Sequence, residues 1–417
     1  MVKRKEFDEL VKFLPRKEYL LITGPRQVGK TTMLKQLGEY LKNEKQEYHF
    51  LTLEDPGILK AVNDHPENVF FYIGRKVENG DPGKKTFLLV AEVQLAANPS
   101  NFLKLLYDQH GDWLKIVATG SSAFYLDEKF RDSMAGRKRI IELYALDFSG
   151  YLEFAGYSEL QGEYLKMCKD PLYRSLQSIL IRQLFSEYLT YGGYPAVAIE
   201  KDPSEKKEIL RDLVRTYLKR DVFDANDSDY LKVVQLLKVL AFQTGQLLNT
   251  NELSVTLKYA IPTIQNYLYI LQKCYHLHLL RPFYRNIRNE LTRMPKVFFH
   301  DNGFRNAVMD IWDPLPNRPD RGSVIENATF IRLRDIYGYD NLRFWRTAAK
   351  NEIDFLILEG LSPKLALEVK YSGKPHTPHS QKLFLKNYPE TTLRMVAYET
   401  DDPRLELLRL KHHAAFS

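Results

Sequence analysis

The sequence predicts an α/β protein of two to four domains, and three observations support this prediction. The chain has 417 residues, more than a single hydrophobic core usually holds. In its first third, apolar segments of strand length alternate with amphipathic segments of helix length, a pattern typical of a parallel sheet covered by helices. Near its end, two further apolar segments carry acidic residues at strand spacing.

Composition narrows the class of protein. Hydrophobic residues make up 44% of the chain and charged residues 27%. No apolar run reaches the roughly 18 residues that a membrane-spanning helix requires, and the first ten residues lack the apolar core of a signal peptide. We therefore expect a cytoplasmic protein with no membrane partner. Cys168 and Cys274 are too few and too far apart for a disulfide framework or a thiolate zinc site. The net charge of +7 is compatible with a polyanionic partner.

The segment "YLLITGPRQVGKTTMLKQL" predicts a strand, a phosphate-binding loop and a helix. Glycines at both ends of the loop let backbone N–H groups surround a phosphate, and the new helix directs its positive end at the same charge. Lys30 is expected to reach the β- and γ-phosphates of ATP, and Thr31 to bind Mg²⁺. A chance glycine turn does not explain the Lys-Thr pair. The predicted nucleotide-binding residues are Gly24, Pro25, Arg26, Gln27, Val28, Gly29, Lys30, Thr31 and Thr32.

A second apolar segment, "FLLVAEVQ", is the expected magnesium-facing strand, although position 91 is Ala where an acidic residue is expected. The earlier segment "EYHFLTLEDP" is an alternative because it ends in Glu54 and Asp55. It follows the first helix directly, however, so we expect it to be an outer strand that these two residues terminate. The magnesium strand is expected one strand-helix unit later, beside the phosphate-loop strand.

The next apolar segment, "DWLKIVATGSSAF", predicts another strand that ends in small hydroxyl residues. Thr119, Ser121 or Ser122 could hydrogen-bond the attacking water or the γ-phosphate, and Thr119 is our candidate. The alternative is that these residues form an ordinary turn and helix cap.

Ten short motifs in this order make the chain similar to bacterial and archaeal AAA-type ATPases that carry a C-terminal domain of unknown function with a restriction-nuclease-like fold. The motifs are "GPRQVGKTT", "EVQ", "ATGSSAF", "AGRKRIIELYALDFSGYLEF", "YLTYGGYP", "LKRDV", "KVFFHDNGFRNAV", "IENATFIRLR", "FWRTAAKNEIDFLI" and "LALEVKYS". The resemblance implies a P-loop NTPase domain of the additional-strand class (1–150), a helical lid or linker (151–228), a winged helix (229–312) and a restriction-endonuclease-like α/β domain (313–417).

The resemblance also implies roles in ATP hydrolysis. An Asp-Glu pair is expected at the end of the magnesium strand, and here only Glu92 remains, as the candidate that polarises the attacking water. Because the rest of the site is intact, we interpret Ala91 as a deliberate Asp→Ala substitution, with natural loss as the alternative, and expect hydrolysis to be impaired. Arg137, or failing it Arg131, would stabilise the transferring phosphoryl group in its own or a neighbouring subunit of a homo-oligomer. Either arginine could instead pair with a surface carboxylate.

Pro195, in "YGGYPA", is the candidate for contact with adenine, because proline offers a rigid apolar face and the two preceding glycines allow close backbone approach. The alternative is that this element simply ends a helix, and the two interpretations are compatible.

The segment that begins "TNELSVTLKYAIPTIQNYLYILQKCYHLHLL" predicts a helix-turn-helix followed by a wing. Asn249 or Thr250 would cap the first helix, and Thr263 would start the second. Ile264, Leu268, Leu271 and Tyr275 would be buried, which leaves Gln265, Asn266, Tyr269, Gln272 and Lys273 outside. The basic wing would contain Arg281, Phe283, Tyr284, Arg285, Arg288, Arg293 and Lys296.

This polar face and basic wing suit contact with DNA bases and phosphates, and the aromatic residues of the wing suit stacking on bases. The alternatives are a lid, a protein-contact module, or a solvated charged surface. The candidate nucleic-acid residues are Gln265, Lys273, Arg281, Arg285, Arg288 and, in the C-terminal domain, Lys370.

In the C-terminal domain, Asp354 and Glu368-x-Lys370 have the order and spacing of the metal-nuclease core, and Glu326 lies on a preceding helix. Asp354 and Glu368 would hold Mg²⁺, while Lys370 would orient water or stabilise the phosphate. The alternative is a partly buried ion-pair cluster in a fold kept for binding.

The sequence thus favours an ATP- and Mg²⁺-dependent DNA-binding motor or switch. A signalling switch that recruits a protein, and an ATP-gated nuclease, remain as alternatives.

Overall fold

The chain divides into two compact units. The computed structural model describes residues 2, 4–74, 85–120, 134, 136–170, 172–223, 230–284, 286–372 and 379–410, and gives the backbone course alone at 218–223, 287, 289 and 291. The first unit contains Met1–Tyr144 together with Lys273–Tyr275, and the second contains Ala145–Gln272 and His276–Ser417. The finer division into four domains stays a prediction. Within these described residues, no helix combines the length and apolar character needed to cross a membrane.

The first unit is an α/β layer structure. Its described helices are α1 (Glu6–Phe13), α2 (Lys30–Asn43), α3 (Pro56–Asp64), α4 (Val69–Tyr72) and α5 (Pro99–His110). Its described strands are β1 (Tyr19–Thr23), β2 (Glu47–Thr52), β3 (Thr86–Ala91), β4 (Leu114–Thr119) and β5 (Lys138–Glu142). Strands β1, β3 and β4 are buried along their whole length, as expected of strands covered on both faces.

The five strands form one parallel sheet in the order β2-β3-β4-β1-β5. This confirms the predicted α/β class and places β2 at the edge, as expected for the outer strand. The expectation that the magnesium strand lies beside the phosphate-loop strand is wrong, because β4 pairs with both β1 and β3 and separates them. The connection from β1 to β2 passes over two strand positions and the one from β4 to β5 passes over β1, so the order of strands along the sequence does not determine which strands pair.

The acidic end of "EYHFLTLEDP" starts a helix. Strand β2 ends at Thr52, and the Asp55 carboxylate then accepts the backbone N–H groups of Gly57 and Ile58 at 2.8 and 3.0 Å. These bonds satisfy two of the donors that a helix leaves unpaired at its start. Asp55 therefore terminates the outer strand region, as expected, by capping α3.

The chain beyond residue 145 is mainly helical, with a second sheet near its end. The described helices are α6 (Phe148–Phe154), α7 (Ser158–Lys169), α8 (Ser178–Tyr191), α9 (Pro195–Ile199), α10 (Pro203–Phe223), α11 (Tyr230–Phe242), α12 (Thr250–Leu257), α13 (Ile261–Lys273), α14 (Ile287–Thr292), α15 (Asn302–Met309), α16 (Arg321–Tyr337) and α17 (His379–Asn387). The described strands are β6 (Leu277–Leu280), β7 (Lys296–Phe299), β8 (Leu342–Arg346), β9 (Glu352–Glu359), β10 (Ser362–Ser372) and β11 (Thr392–Glu399).

The C-terminal sheet has the order β8-β9-β10-β11, antiparallel except for the parallel pair β10 and β11. Its apolar positions alternate along the strands and form one core with α16, as Phe330, Phe355, Ile357 and Leu367 illustrate. Strands β6 and β7 form a separate antiparallel pair.

Helices α12 and α13 follow the predicted helix-turn-helix pattern closely. Asn249 caps α12 through its side chain, as predicted. Helix α13 starts at Ile261, two residues before the predicted Thr263, because a proline is tolerated in the first helical turn. Its buried and exposed faces are as predicted, except that Gln272 and Lys273 are half-buried. Tyr275 is buried but lies beyond the helix, with φ of 61°. That this segment is a winged helix stays a prediction.

Candidate functional site

The phosphate loop connects the end of β1 to the start of α2. Gly24, Gln27 and Gly29 have φ values of 140°, 56° and 95°, a backbone course that glycine adopts most easily. A Cβ at Gly24 would lie 2.0 Å from the carbonyl oxygen of Leu143, so the close approach of these two backbones requires glycine. No side chain caps the amino end of α2, which leaves that end open to an anion.

Lys30 places its ammonium group inside this loop. Its side chain is buried, and Nζ donates hydrogen bonds to the carbonyl oxygens of Gly24 and Pro25 at 2.9 and 2.6 Å. Thr31 and Thr32 lie in the first turn of α2, with Thr31 half-buried and Thr32 exposed. The left-handed loop, the uncapped helix start and the enclosed ammonium fit the polyphosphate of ATP.

Strands β3 and β4 bring Glu92 and Thr119 together. The backbone N–H of Glu92 donates to Oγ1 of Thr119 at 3.2 Å, because the ends of these neighbouring parallel strands meet at one edge of the sheet. Gln94 donates from Nε2 to Oε2 of Glu92 at 2.5 Å, a contact that sequence reasoning missed. The catalytic roles of Glu92 and Thr119 stay predictions.

The residues fit Mg²⁺ at the nucleotide only in part. The Thr31 hydroxyl would bind the ion, with Glu92 at the adjoining strand end. Ala91 is the last residue of β3 and is buried, and its methyl group provides no oxygen for a metal-bound water. The chain therefore lacks one of the acceptors that the resemblance implies.

A second set of residues supports the base of the phosphate loop from the side. The Tyr275 hydroxyl donates to Oε1 of Glu142 at 3.1 Å and shares a 2.9 Å hydrogen bond with the hydroxyl of Thr23, the residue before the loop. Tyr144 donates to the other oxygen of Glu142 at 3.0 Å. Arg4 donates to the carbonyl oxygen of Val28, within the loop, at 3.0 Å. Sequence reasoning missed these contacts because nothing local to any of these residues marks its partner.

Arg137 lies at the opposite edge of the sheet from the phosphate loop. Its carbonyl oxygen accepts the N–H of Tyr19, where β1 begins, whereas the loop follows the other end of β1. Its guanidinium pairs with the carboxylate of Asp108 at 2.7 Å, which is the alternative that the sequence left open. Arg137 is thus too far to act on nucleotide in its own subunit, and a role in a neighbouring subunit stays a prediction. Arg131, Ser121 and Ser122 lie outside the described residues.

The two glycines before Pro195 are explained by packing within the second unit. A Cβ at Gly192 would lie 2.2 Å from a carboxylate oxygen of Asp301, and one at Gly193 would lie 2.1 Å from the carbonyl oxygen of Leu146. The Gly193 N–H donates to the buried Asp301 at 2.8 Å. Helix α8 ends just before these glycines and Pro195 begins α9, as the helix-ending alternative requires. Contact of Pro195 with adenine stays a prediction.

The predicted basic wing is only partly available for binding. Arg281, Arg288 and Arg293 are exposed, as Gln265 is on α13, and Arg285 lies outside the described residues. Two expectations for this segment are wrong. Phe283 is buried and packs in a core cluster of the C-terminal sheet, so it cannot stack on a base. Lys296 is buried in an ion-pair cluster, so it cannot contact phosphate.

That cluster contains the carboxylates predicted to bind metal. Nζ of Lys296 lies 2.9 Å from Oε1 of Glu326, 2.6 Å from Oε1 of Glu352 and 3.9 Å from Oδ1 of Asp354. Oδ2 of Asp354 accepts the Val369 N–H at 2.8 Å.

Glu368 lies on β10, the strand that neighbours β9 in the C-terminal sheet. It pairs with Lys370 at 2.6 Å, which confirms that these two residues share a face of β10, while its other oxygen, Oε2, is buried without a hydrogen-bond partner. Burial raises the pKa of Asp354 and Glu368, and raises that of Glu326 to about 7. Across the described ranges, no group of three or more His, Cys, Asp or Glu side chains could hold a metal ion. Metal binding by Asp354 and Glu368 stays a prediction.

Three regions of the chain match known protein families. Residues 16–152 match a family described as "AAA domain". Residues 182–314 match "Domain of unknown function (DUF8612)", and residues 321–410 match "Domain of unknown function (DUF4143)".

Similar proteins extend over most of the chain. An uncharacterised protein of Methanocaldococcus jannaschii, MJ1544, is 24% identical over 83% of this chain and 73% of its own length. An uncharacterised protein of Haemophilus influenzae is 26% identical over 80% of this chain and 78% of its own length. One of Mycobacterium tuberculosis, Rv2008c, is 22% identical over 92% of this chain and 77% of its own length.

Two solved structures illustrate the likeness of fold. The Aeropyrum pernix ORC1 protein in complex with DNA has a TM-score of 0.34 and 12% identity, covering 80% of this chain and 95% of that one. AMPPCP-bound DnaA from Aquifex aeolicus has a TM-score of 0.31 and 11% identity, covering 65% and 89%. The family matches, together with the phosphate loop on its parallel sheet, show that this chain combines an AAA-type P-loop ATPase domain with a C-terminal DUF4143 domain.

Proposed function

We propose that this protein is an ATP-dependent switch or motor that acts on DNA, and that Ala91 slows its ATP hydrolysis. The observation that carries the nucleotide part is the phosphate loop, in which the Lys30 ammonium is enclosed by loop carbonyl oxygens. The site has its loop, its lysine, Thr31 and Glu92, so binding of Mg–ATP is expected to persist. The missing carboxylate at position 91 bears on turnover, because a charge-assisted hydrogen bond contributes about 1.5–3 kcal/mol.

The exposed basic residues after α13 support the DNA part of the proposal. Arg281, Arg288 and Arg293 lie within thirteen residues of one another, and Gln265 is exposed on the preceding helix. Guanidinium groups suit phosphate contact, and side-chain amides suit the edges of bases. The overall charge of +7 favours the same kind of partner.

The position of Arg137 supports a homo-oligomer. Because it lies at the edge of the sheet away from its own phosphate loop, it can reach a γ-phosphate only in a neighbouring subunit. In this proposal, ATP closes the interface between subunits and Arg137 leaves Asp108 to complete the neighbour's site.

The test combines DNA binding with ATP hydrolysis. Duplex, single-stranded and branched DNA are titrated at low salt with the given chain, with and without ATP, and the titrations are repeated at rising salt. The logarithm of the DNA-binding constant falls linearly with the logarithm of the salt concentration. Each phosphate contact removed should reduce the steepness of this line by about one unit. Arg281→Gln, Arg288→Gln and Arg293→Gln are expected to weaken all DNA forms together. Arg404→Gln, which removes an exposed arginine from a different part of the chain, serves as the control.

Ala91→Asp tests the hydrolysis part separately. It is expected to raise the ATPase rate about 10- to 100-fold, with little effect on DNA affinity, because it restores one charge-assisted hydrogen bond. If neither chain binds DNA, and DNA stimulates neither ATPase, the motor is excluded.

Two alternatives remain open to the same experiments. A nucleotide-dependent signalling switch that recruits a protein partner predicts ATP binding that DNA does not affect. An ATP-gated nuclease predicts metal-dependent cleavage that Asp354→Ala and Glu368→Ala abolish while ATP binding persists.

A further inference from the structure

We propose that Lys296 supplies, from within the chain, the positive charge that a divalent metal supplies in nucleases of the resembling fold, so that the carboxylate cluster of the C-terminal unit is metal-independent. This inference goes beyond the function proposed above, which rests on the nucleotide site and the exposed arginines. It follows from where the ammonium lies and from what each carboxylate already contacts.

The ammonium of Lys296 lies among three carboxylates. Its distances to oxygens of Glu326, Glu352 and Asp354 are 2.9, 2.6 and 3.9 Å. These residues come from α16 and β9, so the lysine joins a helix to a strand of the C-terminal sheet. A single positive centre that several carboxylates surround is the arrangement by which a protein holds a hard cation.

Lys296 is fixed in this position. Its side chain is only 3% exposed, and its backbone is the first residue of β7, paired with Leu280 of β6. The ring of Phe344 lies 5.5 Å from the ammonium, which closes the cluster with an apolar face. A lysine held by its backbone and covered by an aromatic ring cannot leave the cluster by a simple change of rotamer.

Several carboxylate oxygens of the cluster already have partners. Glu352 is shared between Lys296 and Arg346, and Asp354 also accepts the N–H of Val369. Glu368 is paired with Lys370 through Oε1. Within the described part of this cluster, Oε2 of Glu368 is the buried carboxylate oxygen that has no hydrogen-bond partner.

A metal ion beside that oxygen would also need Asp354, whose Oδ1 lies 3.9 Å from the Lys296 ammonium. Mg²⁺ takes six oxygen ligands in near-octahedral geometry, and a second carboxylate has to contribute. Asp354 would have to exchange its present contacts, and the ammonium would have to move away to avoid placing two cations side by side. The structure therefore disagrees with the metal site that the resemblance implies, and Lys296 is the reason.

The first experiment measures Mn²⁺ binding to the full chain without nucleotide, by electron paramagnetic resonance. The expected result is that the wild-type chain and the Asp354→Asn, Glu368→Gln variant bind the same number of Mn²⁺ ions. A stoichiometric Mn²⁺ in the wild-type chain that this variant loses would overturn the proposal. This measurement needs no change at Lys296, so it stands even if a lysine variant fails to fold.

The second experiment removes the internal cation. Lys296→Met is expected to lower the thermal midpoint in the presence of a chelator, and added Mn²⁺ is expected to restore at least about 3 °C of the loss, since a ligand that binds the folded state stabilises it. The wild-type midpoint should not respond to Mn²⁺. If Lys296→Met folds and gains neither Mn²⁺ binding nor Mn²⁺-dependent stability, the ammonium does not occupy the place of a metal ion, and the proposal is wrong.

Lys115→Met is the matched control for this experiment. Lys115 is also a buried lysine, but its ammonium donates to the backbone carbonyl oxygens of Phe13, Arg16 and Glu18, and it pairs with no carboxylate among the described residues. Its replacement is expected to destabilise the chain without any response to Mn²⁺. A Mn²⁺ response in this control would show that the metal acts elsewhere, and would remove the support for Lys296.

Discussion

Lys115 in the first unit and Lys296 in the second are both buried, yet their surroundings are opposite. Lys115 donates to three backbone carbonyl oxygens, which carry no net charge. Burial, with a smaller contribution from Lys85, lowers the pKa of Lys115 to about 7. Burial acts on Lys296 in the same direction, but the carboxylates of Glu326, Asp354 and Glu352 outweigh it and raise the pKa of Lys296 above its ordinary value.

This difference shows how each unit uses buried positive charge. Lys30, like Lys115, donates to backbone carbonyl oxygens, and its ammonium lies within the loop where a phosphate is expected to bind. The positive charge of Lys296 is neutralised by the carboxylates around it, so it is not available to a phosphate. A buried lysine among carbonyl oxygens is therefore a candidate for anion binding, whereas one among carboxylates is structural. The following predictions test this distinction, from the largest expected effect to the smallest.

Lys30→Met should produce the largest loss. It removes the ammonium but keeps most of the apolar stem, so two charge-assisted hydrogen bonds to phosphate are lost, worth about 3–6 kcal/mol or at least 100-fold in ATP affinity. A fluorescent ATP analogue measures the affinity. Lys35→Met, an exposed position on the same helix, is the control and should bind normally. ATP affinity equal to wild type in Lys30→Met would mean that the enclosed ammonium plays no part in binding.

Arg305→Met tests the structural role of buried charge in the second unit. Arg305 is fully buried, and it bonds Asp320 at 2.9 Å, Thr244 at 2.8 Å and Asn306 at 3.2 Å. Its removal leaves the Asp320 carboxylate still paired with Arg318 at 2.7 Å, so the expected cost is that of a lost charge-assisted hydrogen bond, about 1.5–3 kcal/mol of unfolding free energy. Urea unfolding measures the loss, and ATP affinity should not change.

Arg211→Met is the matched control for this change. Arg211 also pairs with an aspartate, Asp310, at 2.8 Å, but that carboxylate is mostly exposed. An exposed pair contributes at most about 1 kcal/mol. Equal losses of stability in Arg211→Met and Arg305→Met would show that burial of the pair is not what matters.

The two buried lysines should give opposite pH dependences of stability. Between the lowered folded pKa of Lys115, about 7, and its unfolded value of 10.5, the unfolded chain binds the extra proton, so this lysine makes stability rise with pH by up to about 1.4 kcal/mol per unit. Lys296 is charged in both states below 10.5, and its stabilisation is lost only as the pH rises above that value.

Urea unfolding at pH 7, 8 and 9 measures this slope. Lys115→Met should flatten it relative to the wild-type chain. Lys296→Met should lower stability by more at pH 9 than at pH 7, because the ammonium no longer opposes the burial that raises the pKa of Glu326. Parallel curves for the wild-type chain and Lys115→Met would show that Lys115 stays charged when buried.

The features that the sequence predicted correctly depend on local chemistry. The glycines and lysine of the phosphate loop, the Asn249 cap and the exposed Gln265 on α13 are all set by neighbours within a few residues. Glu92 and Thr119 were each placed at the end of an apolar strand, and their contact follows from the pairing of β3 with β4, which the sequence did not predict.

The features that the sequence could not predict depend on distant partners. Arg293 and Lys296 look alike in one basic segment, yet Arg293 is exposed and Lys296 is buried, because β7 faces carboxylates that lie 30 and more residues further along the chain. The register of the sheet places Arg137 beside Tyr19, at the end of β1 away from its own phosphate loop, and no local pattern shows this position. The periodicity of α13 assigned Tyr275 to the buried face of the helix. The helix ends at Lys273, however, and Tyr275 belongs to the first unit.

Tyr275→Phe should have the smallest effect, and it tests whether this tyrosine positions the phosphate loop. The change removes only the hydroxyl that bonds Thr23 and Glu142, worth about 0.5–1.5 kcal/mol. If the Thr23 contact sets the start of the loop, ATP affinity should fall about 2- to 10-fold.

Tyr144→Phe is the matched control, because it also removes a hydroxyl from Glu142 but leaves Thr23 untouched. The two variants should lose similar stability in thermal unfolding, and only Tyr275→Phe should lose ATP affinity. Equal ATP affinities would assign Tyr275 to packing alone.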